Sequence, residues 1–391
     1  MSKHLLTAGL AIFSMFFGAG NLIYPLITGM TAGQYTWLGM IGFLLTAALL
    51  PLLGLTAMIF FDGDYDSFFG RLGYIPGKII IFICMMIIGP IIAIPRIISL
   101  SEIMIQPFIP WLGSHNYLQS FIFAVIFLII TFLATYRENK IISVLGNVIS
   151  PILLCCLGVI VTKGLYEGIL YNQIIPATTN NKLVIFRENF IRGYETLDLL
   201  GAIFFASIVI SLLKIQAERP ANALTLSKMG LQAGLIGISL LCIVYIGMST
   251  LSVYHGHDLE MLDAGQLFRE ISLRILGTHG TLIIALAVLL ACLSTAIALA
   301  AVVAAYIEHE IMCNTVTYVQ SLIMTLVACL PLSVFGLEKV LSLTGGPIVY
   351  IGYPIIISLT ICNLAYKTVG FSYVKIPVTF TGIIATIMYI S

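Results

Sequence analysis

Charge is what this sequence has least of: Asp, Glu, Lys and Arg make up 9% of its 391 residues, where a soluble chain carries about a quarter. Hydrophobic residues make up 60%, and the mean hydropathy is +1.09. A water-soluble domain is excluded, and a net charge of +1 carries no sign of a nucleic-acid partner. Metal signatures are lacking too. The eight cysteines (84, 155, 156, 242, 292, 313, 329 and 362) contain no C-x-x-C and read as small packing residues in or beside apolar stretches. The vicinal pair Cys155 and Cys156 has no histidine nearby, and the six histidines make no H-E-x-x-H, so neither a zinc site nor a cofactor is expected. No small-residue cleavage site follows the first apolar stretch, and similar stretches keep coming, so a cleaved leader is not expected.

What is there is apolar length. Runs of 18 or more apolar residues recur along the chain, which predicts an all-α polytopic membrane protein. About eleven spans are expected, over 5–28, 35–61, 78–105, 117–135, 141–163, 190–213, 229–254, 280–306, 312–335, 341–365 and 374–390. Two connectors are long, 164–189 and 255–279. In the second, Leu259, Leu262, Leu267 and Ile271 are spaced for an amphipathic helix lying on the surface. With a cytoplasmic N-terminus, Lys3, Arg71, Lys78, Arg137, Lys140, Lys214, Arg219, Lys228, Lys367 and Lys375 face the cytoplasm. The short outer connectors then hold only Lys339, an asymmetry that fits the positive-inside rule and puts the C-terminus outside.

The first span contains "FFGAGNLIYP", from Phe16 to Pro25. Gly18 and Gly20 let the backbone leave helical geometry, and Pro25 removes a donor. Non-helical backbone at membrane depth is tolerated only inside protein or beside a wet cavity. A broken span exposes two half-helix ends. The N-terminal end of the second half offers free amides and positive partial charge to a carboxylate. The C-terminal end of the first half offers carbonyls to a cation or ammonium group. A zwitterionic amino acid uses both. The bland alternative for the glycines is close helix packing or a simple kink.

Here the residues carry a resemblance. "GLAIFSMFFGAGNLIYPLITGMTAGQ" with "GFLLTAALLPLLGL", then "IGPIIAIPRIISLSE", "GYETLDLLGAIFFASIVI" and "LLACLSTAIAL" resemble, in order, spans of the bacterial branched-chain amino acid:cation symporter family (LIVCS). The similarity covers nearly the whole chain; many members carry a twelfth span. The resemblance implies a leucine-transporter-like fold of two inverted five-helix repeats, with spans 1 and 6 unwound at the midplane. In this chain the repeats would occupy 1–163 and 190–366, separated by the external loop 164–189, with span 11 in 367–391. It also implies a bacterial plasma (inner) membrane location and sodium-coupled import of leucine, isoleucine and valine. Coupling to protons, with Asp198 as the proton site, or selectivity for other amino acids, is the alternative within the class.

Candidate site residues follow. Gly18, Ala19, Gly20 and Asn21 form the first break, while Asp198 and Gly201 are the only markers of a break in span 6. Asn21 either turns its amide oxygen toward a cation or caps the second half-helix. In span 8, Ala291, Ser294 and Thr295 share one helix face, able to offer a carbonyl and two hydroxyls to a small hard cation; tight packing is the alternative. The resemblance assigns that face to sodium, together with the carbonyls of Ser14 and Phe17. Asp198 and Arg96 are the ionisable residues most clearly within spans, and burying either unpaired is costly. They pair with each other as a structural ion pair, or Asp198 binds the ammonium group or a proton, or each reaches a wet vestibule. Arg96 lies about 27 Å along a helix from Lys78, within snorkelling reach of the outer interface. An enzyme is not expected: Asp62, Asp64 and Asp66 sit in a loop, leaving no second membrane aspartate for a protease. A channel would need a ring of charges or a filter repeat, and neither is present.

Overall fold

A computed structural model of the chain describes residues 3–109, 112, 117–136, 150–171, 174–216, 223–259 and 261–390. Among them there is helix and no strand. This follows from the composition, since in hydrocarbon a helix satisfies every backbone donor internally. Eight helical runs are long and apolar enough to cross a membrane, and three further apolar helices, Leu5–Phe16, Tyr318–Ser333 and Lys375–Ile390, are shorter. The eleven expected spans do not map one to one onto these runs. Helix breaks shorten some, and the run Ala19–Phe60 holds 42 residues, about 63 Å of helix against a core of about 30 Å.

The first span is α1 (Lys3–Phe16) and α2 (Ala19–Ala32); α3 (Thr36–Leu44) and α4 (Leu50–Phe60) follow, joined by a π-turn. A short α5 (Tyr65–Gly70) leads into α6 (Tyr74–Met86) and α7 (Ala93–Ile105), which meet at a distorted turn where Gly89 has φ −96° and ψ −109°. Next come α8 (Tyr117–Thr135) and α9 (Ser150–Tyr171). The second half opens like the first, with a broken pair, α10 (Lys182–Tyr194) and α11 (Asp198–Gln216). It continues with α12 (Ala223–His255), α13 (Ala264–Tyr306), α14 (Tyr318–Ser333), α15 (Leu337–Thr344), α16 (Tyr353–Val369) and α17 (Lys375–Ile390).

Burial sorts these helices into centre and periphery. The run Lys182–Ser211 is 83% buried across its apolar window, whereas Tyr117–Thr135 and Ser150–Leu170 are 28% buried, so α10 and α11 sit inside while α8 and α9 face lipid. α1 and α2 pack on α12 and α13, α3 packs on α10, α4 on α11, and α7 on α13. The two broken pairs are thereby held face to face.

Two expectations about connectors change. The loop expected over 164–189 is largely helical, since α9 runs to Tyr171 and α10 begins at residue 182 rather than 190. The amphipathic segment is helical only from Ala264, so Leu259 and Leu262 precede the helix, and its apolar side is covered by protein: Leu259, Leu267 and Ile271 are buried. Gly277, at φ +66°, separates this piece from the membrane part of α13. Of the basic residues assigned to one side, Arg71, Lys78 and Lys367 share an end of the molecule. Arg71 donates to the carbonyls of Phe371 and Ser372, Lys367 lies over the Phe61 ring, and Lys78 bridges Asp66 (2.9 Å) and Glu310. Arg137, Lys140 and Arg219, and residues 141–149 of the fifth expected span, lie outside the described residues.

Candidate functional site

The first break occupies two residues. Phe17 still closes the last turn of α1, donating to Phe13 O at 2.8 Å, and Gly18 is extended at φ −117°, ψ −160° before α2 begins. Any residue adopts those angles, so conformational freedom is not what glycine supplies here. Space is. A Cβ on Gly18 would sit 3.2 Å from Thr295 Oγ1, and one on Gly20 would sit 2.8 Å from Arg96 Nη2 and 3.2 Å from Thr196 Cα.

Asn21 sits where the two broken spans meet. Its Oδ1 accepts the Gly18 N–H at 3.1 Å, the capping alternative of the two considered. Its Nδ2 donates to Asp198 Oδ2 at 2.6 Å and to the Tyr245 hydroxyl, which itself donates to Asp198 Oδ2 at 3.0 Å. All three are buried, Asp198 at 5% exposure. Both donors meet one oxygen of this buried carboxylate, Oδ2, which lowers the cost of burying it.

The sixth-span break lies at one of the two sequence markers, Asp198, which opens α11, and not at the other, Gly201. Helix α10 stops at Tyr194, and the chain turns at Leu197, whose φ of +66° is left-handed. Gly201 is one turn inside α11, its N–H donating to Leu197 O at 3.0 Å. Thr196 Oγ1 receives the Asp198 N–H at 3.4 Å. Arg96 forms no ion pair with Asp198 among the described residues, and at 4% exposure it does not snorkel. Instead its Nη1 donates to Glu195 O at 2.7 Å and its Nη2 to Thr196 O at 3.0 Å. It thus caps the negative end of α10.

The span 8 face meets the first break. Ser294 Oγ donates to Ser14 O at 3.1 Å and to Ala291 O at 2.7 Å, and Thr295 Oγ1 lies 3.4 Å from Ser14 O. Ser14 Oγ is buried without a hydrogen-bond partner. Phe17 is buried beside it, its ring stacked on Phe13 at 5.2 Å.

A narrow cavity of about 30 Å³ joins these parts, closed around the two breaks. Gly18, Ala19, Asn21, Asp198, Gly201 and Thr295 line it, as does Arg96. Its apolar side comes from Met15, Phe16, Ile88, Ala93, Phe205 and Leu299, which sequence reasoning did not single out. Tyr245 was missed as well; a hydroxyl in mid-span needs a buried partner, and that requirement was the available signal.

Comparison with known proteins shows the family and the fold. The family model described as "Branched-chain amino acid transport protein" matches residues 1–391. The chain is 31% identical to a putative branched-chain amino acid carrier protein of Staphylococcus aureus, covering 100% of this chain and 89% of that one. It is 30% identical to the branched-chain amino acid permease BrnQ of Bacillus subtilis, covering 92% and 80%. Among solved structures it is similar to a nucleobase-cation-symport-1 family transporter, Mhp1 (TM-score 0.64, 15% identity, covering 99% and 91%). It is also similar to MhsT in complex with L-phenylalanine (TM-score 0.58, 14% identity, covering 100% and 98%). These structures share the leucine-transporter-like fold, and the family is one of transporters rather than enzymes. The chain belongs to the branched-chain amino acid transport protein family and is a multi-pass membrane transporter of small amino acid substrates.

Proposed function

We propose that this protein imports leucine, isoleucine and valine together with sodium by alternating access. The observation that carries the reading is a narrow cavity between the two helix breaks, polar at the breaks and apolar opposite. The first-turn backbone of α2 at Gly18, Ala19 and Gly20 takes the substrate carboxylate, where helix amides and dipole favour an anion. Asp198 takes the ammonium group, positioned by Asn21 and Tyr245. The side chain lies against Phe16, Phe205 and Gly201.

Sodium is the coupling ion in this reading. Its oxygens are the Ser14, Phe17 and Ala291 carbonyls and the Ser294 and Thr295 hydroxyls. What supports the set is the convergence of both hydroxyls on Ser14 O, with the orphaned Ser14 hydroxyl alongside. Hydroxyls that now donate to a carbonyl can rotate and offer lone pairs to a hard cation. Filling both sites draws α1, α2 and α13 together, and the two halves, 1–163 and the helices from residue 182, then rock to open the other face. One net positive charge moving inward gains about 2.3 kcal/mol per 100 mV. We place the protein in the bacterial plasma membrane with eleven crossings and the N-terminus in the cytoplasm.

The test is radiolabelled leucine uptake and counterflow in proteoliposomes, with and without an imposed sodium gradient. Sodium-stimulated uptake with saturable counterflow is expected; no counterflow with any of the three amino acids defeats the assignment. Proton coupling is the second reading, favoured by the buried carboxyl of Asp198 at the cavity wall. Uptake driven by a pH gradient without sodium would select it.

A further inference from the structure

Arg96 is a buried cation, 4% exposed, with no direct ion pair among the described residues. The Glu195 and Asp198 carboxylates nevertheless lie within its electrostatic reach. Two of its three guanidinium nitrogens are committed to the carbonyls of Glu195 and Thr196. The third, Nε, is buried and has no hydrogen-bond partner. A buried N–H on a charged group is costly to leave unsatisfied, and such an orphan demands an explanation. Its position supplies one. Arg96 lines the central cavity, and the first turn of α2 lies directly against it, since a Cβ on Gly20 would come within 2.8 Å of Nη2.

We infer that Arg96 binds the substrate carboxylate directly, its Nε–H donating to one carboxylate oxygen while the first-turn amides of α2 hold the other. The inference rests on the amino-acid reading of the cavity and adds a binding residue to it. The carboxylate supplies the directly bonded negative group and the acceptor that Nε lacks, and Asp198 answers the ammonium group at the other polar element of the site. A guanidinium is required because one planar group must serve two carbonyls and a carboxylate at once; a lysine is a point charge without that fork. The same residue then connects cargo to scaffold. A bound carboxylate pulls on the group that holds the end of α10.

Leucine and leucinamide separate this role from a structural one, because they share side chain and ammonium group and differ at the carboxylate. In binding to the purified full-length protein, the wild type is expected to prefer leucine by at least about 30-fold, the loss typical when one partner of a buried charge-assisted bond is removed. In Arg96→Lys and Arg96→Gln, loss of the tie to α10 weakens both ligands, and leucine affinity is expected to fall by about that factor more than leucinamide affinity, so the preference shrinks below about 3-fold. If Arg96 only ties the sixth span, both affinities fall in parallel and the preference survives, which overturns the inference but leaves the amino-acid reading intact. A wild type that binds none of leucine, isoleucine or valine overturns both. Should the variants not fold, a structure of the wild type with leucine decides. A carboxylate oxygen within about 3.2 Å of Nε supports the contact, and a separation beyond about 4 Å removes it.

Discussion

The two helix breaks differ in what satisfies them. At the first, neutral groups do the work: Ser294 and Thr295 hydroxyls meet Ser14 O, and the Asn21 side chain meets the Gly18 amide. At the sixth, a buried guanidinium holds the Glu195 and Thr196 carbonyls, and a leucine accepts a left-handed conformation. Charge-assisted bonds are about twice as strong as neutral ones, so the sixth break is locked by the protein itself. The first is held by partners that an ion or substrate can replace. One break serves as anchor, the other as receptor.

The largest expected effect comes from forcing the two apart. In Gly20→Ala the new methyl meets Arg96 Nη2 at 2.8 Å and Thr196 Cα at 3.2 Å. Neither can retreat, because the guanidinium is bonded at both terminal nitrogens and Cα is backbone. Overpacking of this kind costs about 1–3 kcal/mol, so leucine counterflow is expected to drop by up to about 100-fold at matched, folded protein levels. Wild-type counterflow in this variant would break the claim that the breaks touch. Next, Asp198→Ala removes the acceptor shared by Asn21 and Tyr245. Leucine affinity is expected to fall by about 30-fold, near 2 kcal/mol, read as a raised KM for uptake. A mild effect would move the ammonium site away from α11.

How much of this was legible depends on whether a residue announces itself by type. The first break could be read because "GAG" is unusual in an apolar run, though the physical reason was space against Thr295 and Arg96, not backbone freedom. The sixth break was marked only by Asp198, which flanks it, and by Gly201, which does not, because the residue that turns the chain, Leu197, is an ordinary leucine; φ > 0 there costs about 1–2 kcal/mol and is imposed by its surroundings. Arg96 was expected to seek Asp198, since side-chain charges are visible in a sequence. Its actual partners are carbonyls, which every residue has and which only a helix end leaves open. The shared face of Ala291, Ser294 and Thr295 was legible from spacing, with its cation role coming from the resemblance, while Tyr245 was hidden in span 7, far from either break in sequence.

A smaller effect sharpens the receptor side of the comparison. Replacing Ser294 and Thr295 together by alanine takes both hydroxyls from Ser14 O. Each such bond contributes about 0.5–1.5 kcal/mol net, so the sodium concentration for half-maximal uptake is expected to rise about tenfold. Uptake at saturating sodium should remain near the wild-type rate. Unchanged sodium dependence would remove this cation site without touching the substrate assignment.

The smallest effect is expected at Gly201, and it separates shape from charge. This residue is helical, so alanine brings no backbone strain there and slightly favours the helix. The added methyl would point at the aromatic pair Phe16–Phe205, 3.1 Å from Phe205 Cε2 and 3.7 Å from Phe16 Cε1. Those rings line the cavity, so a small shift of Phe205 consumes room that the larger substrate needs. One methylene in an apolar pocket is worth about 1–3 kcal/mol between substrates. Gly201→Ala is therefore expected to lower the preference for leucine over valine by about 3- to 10-fold, with valine KM nearly unchanged, in competition uptake. If the two affinities fall together, the substrate side chain does not lie between α1 and α11, and the pocket is shaped instead by Ala93 and Ile88 on the third span.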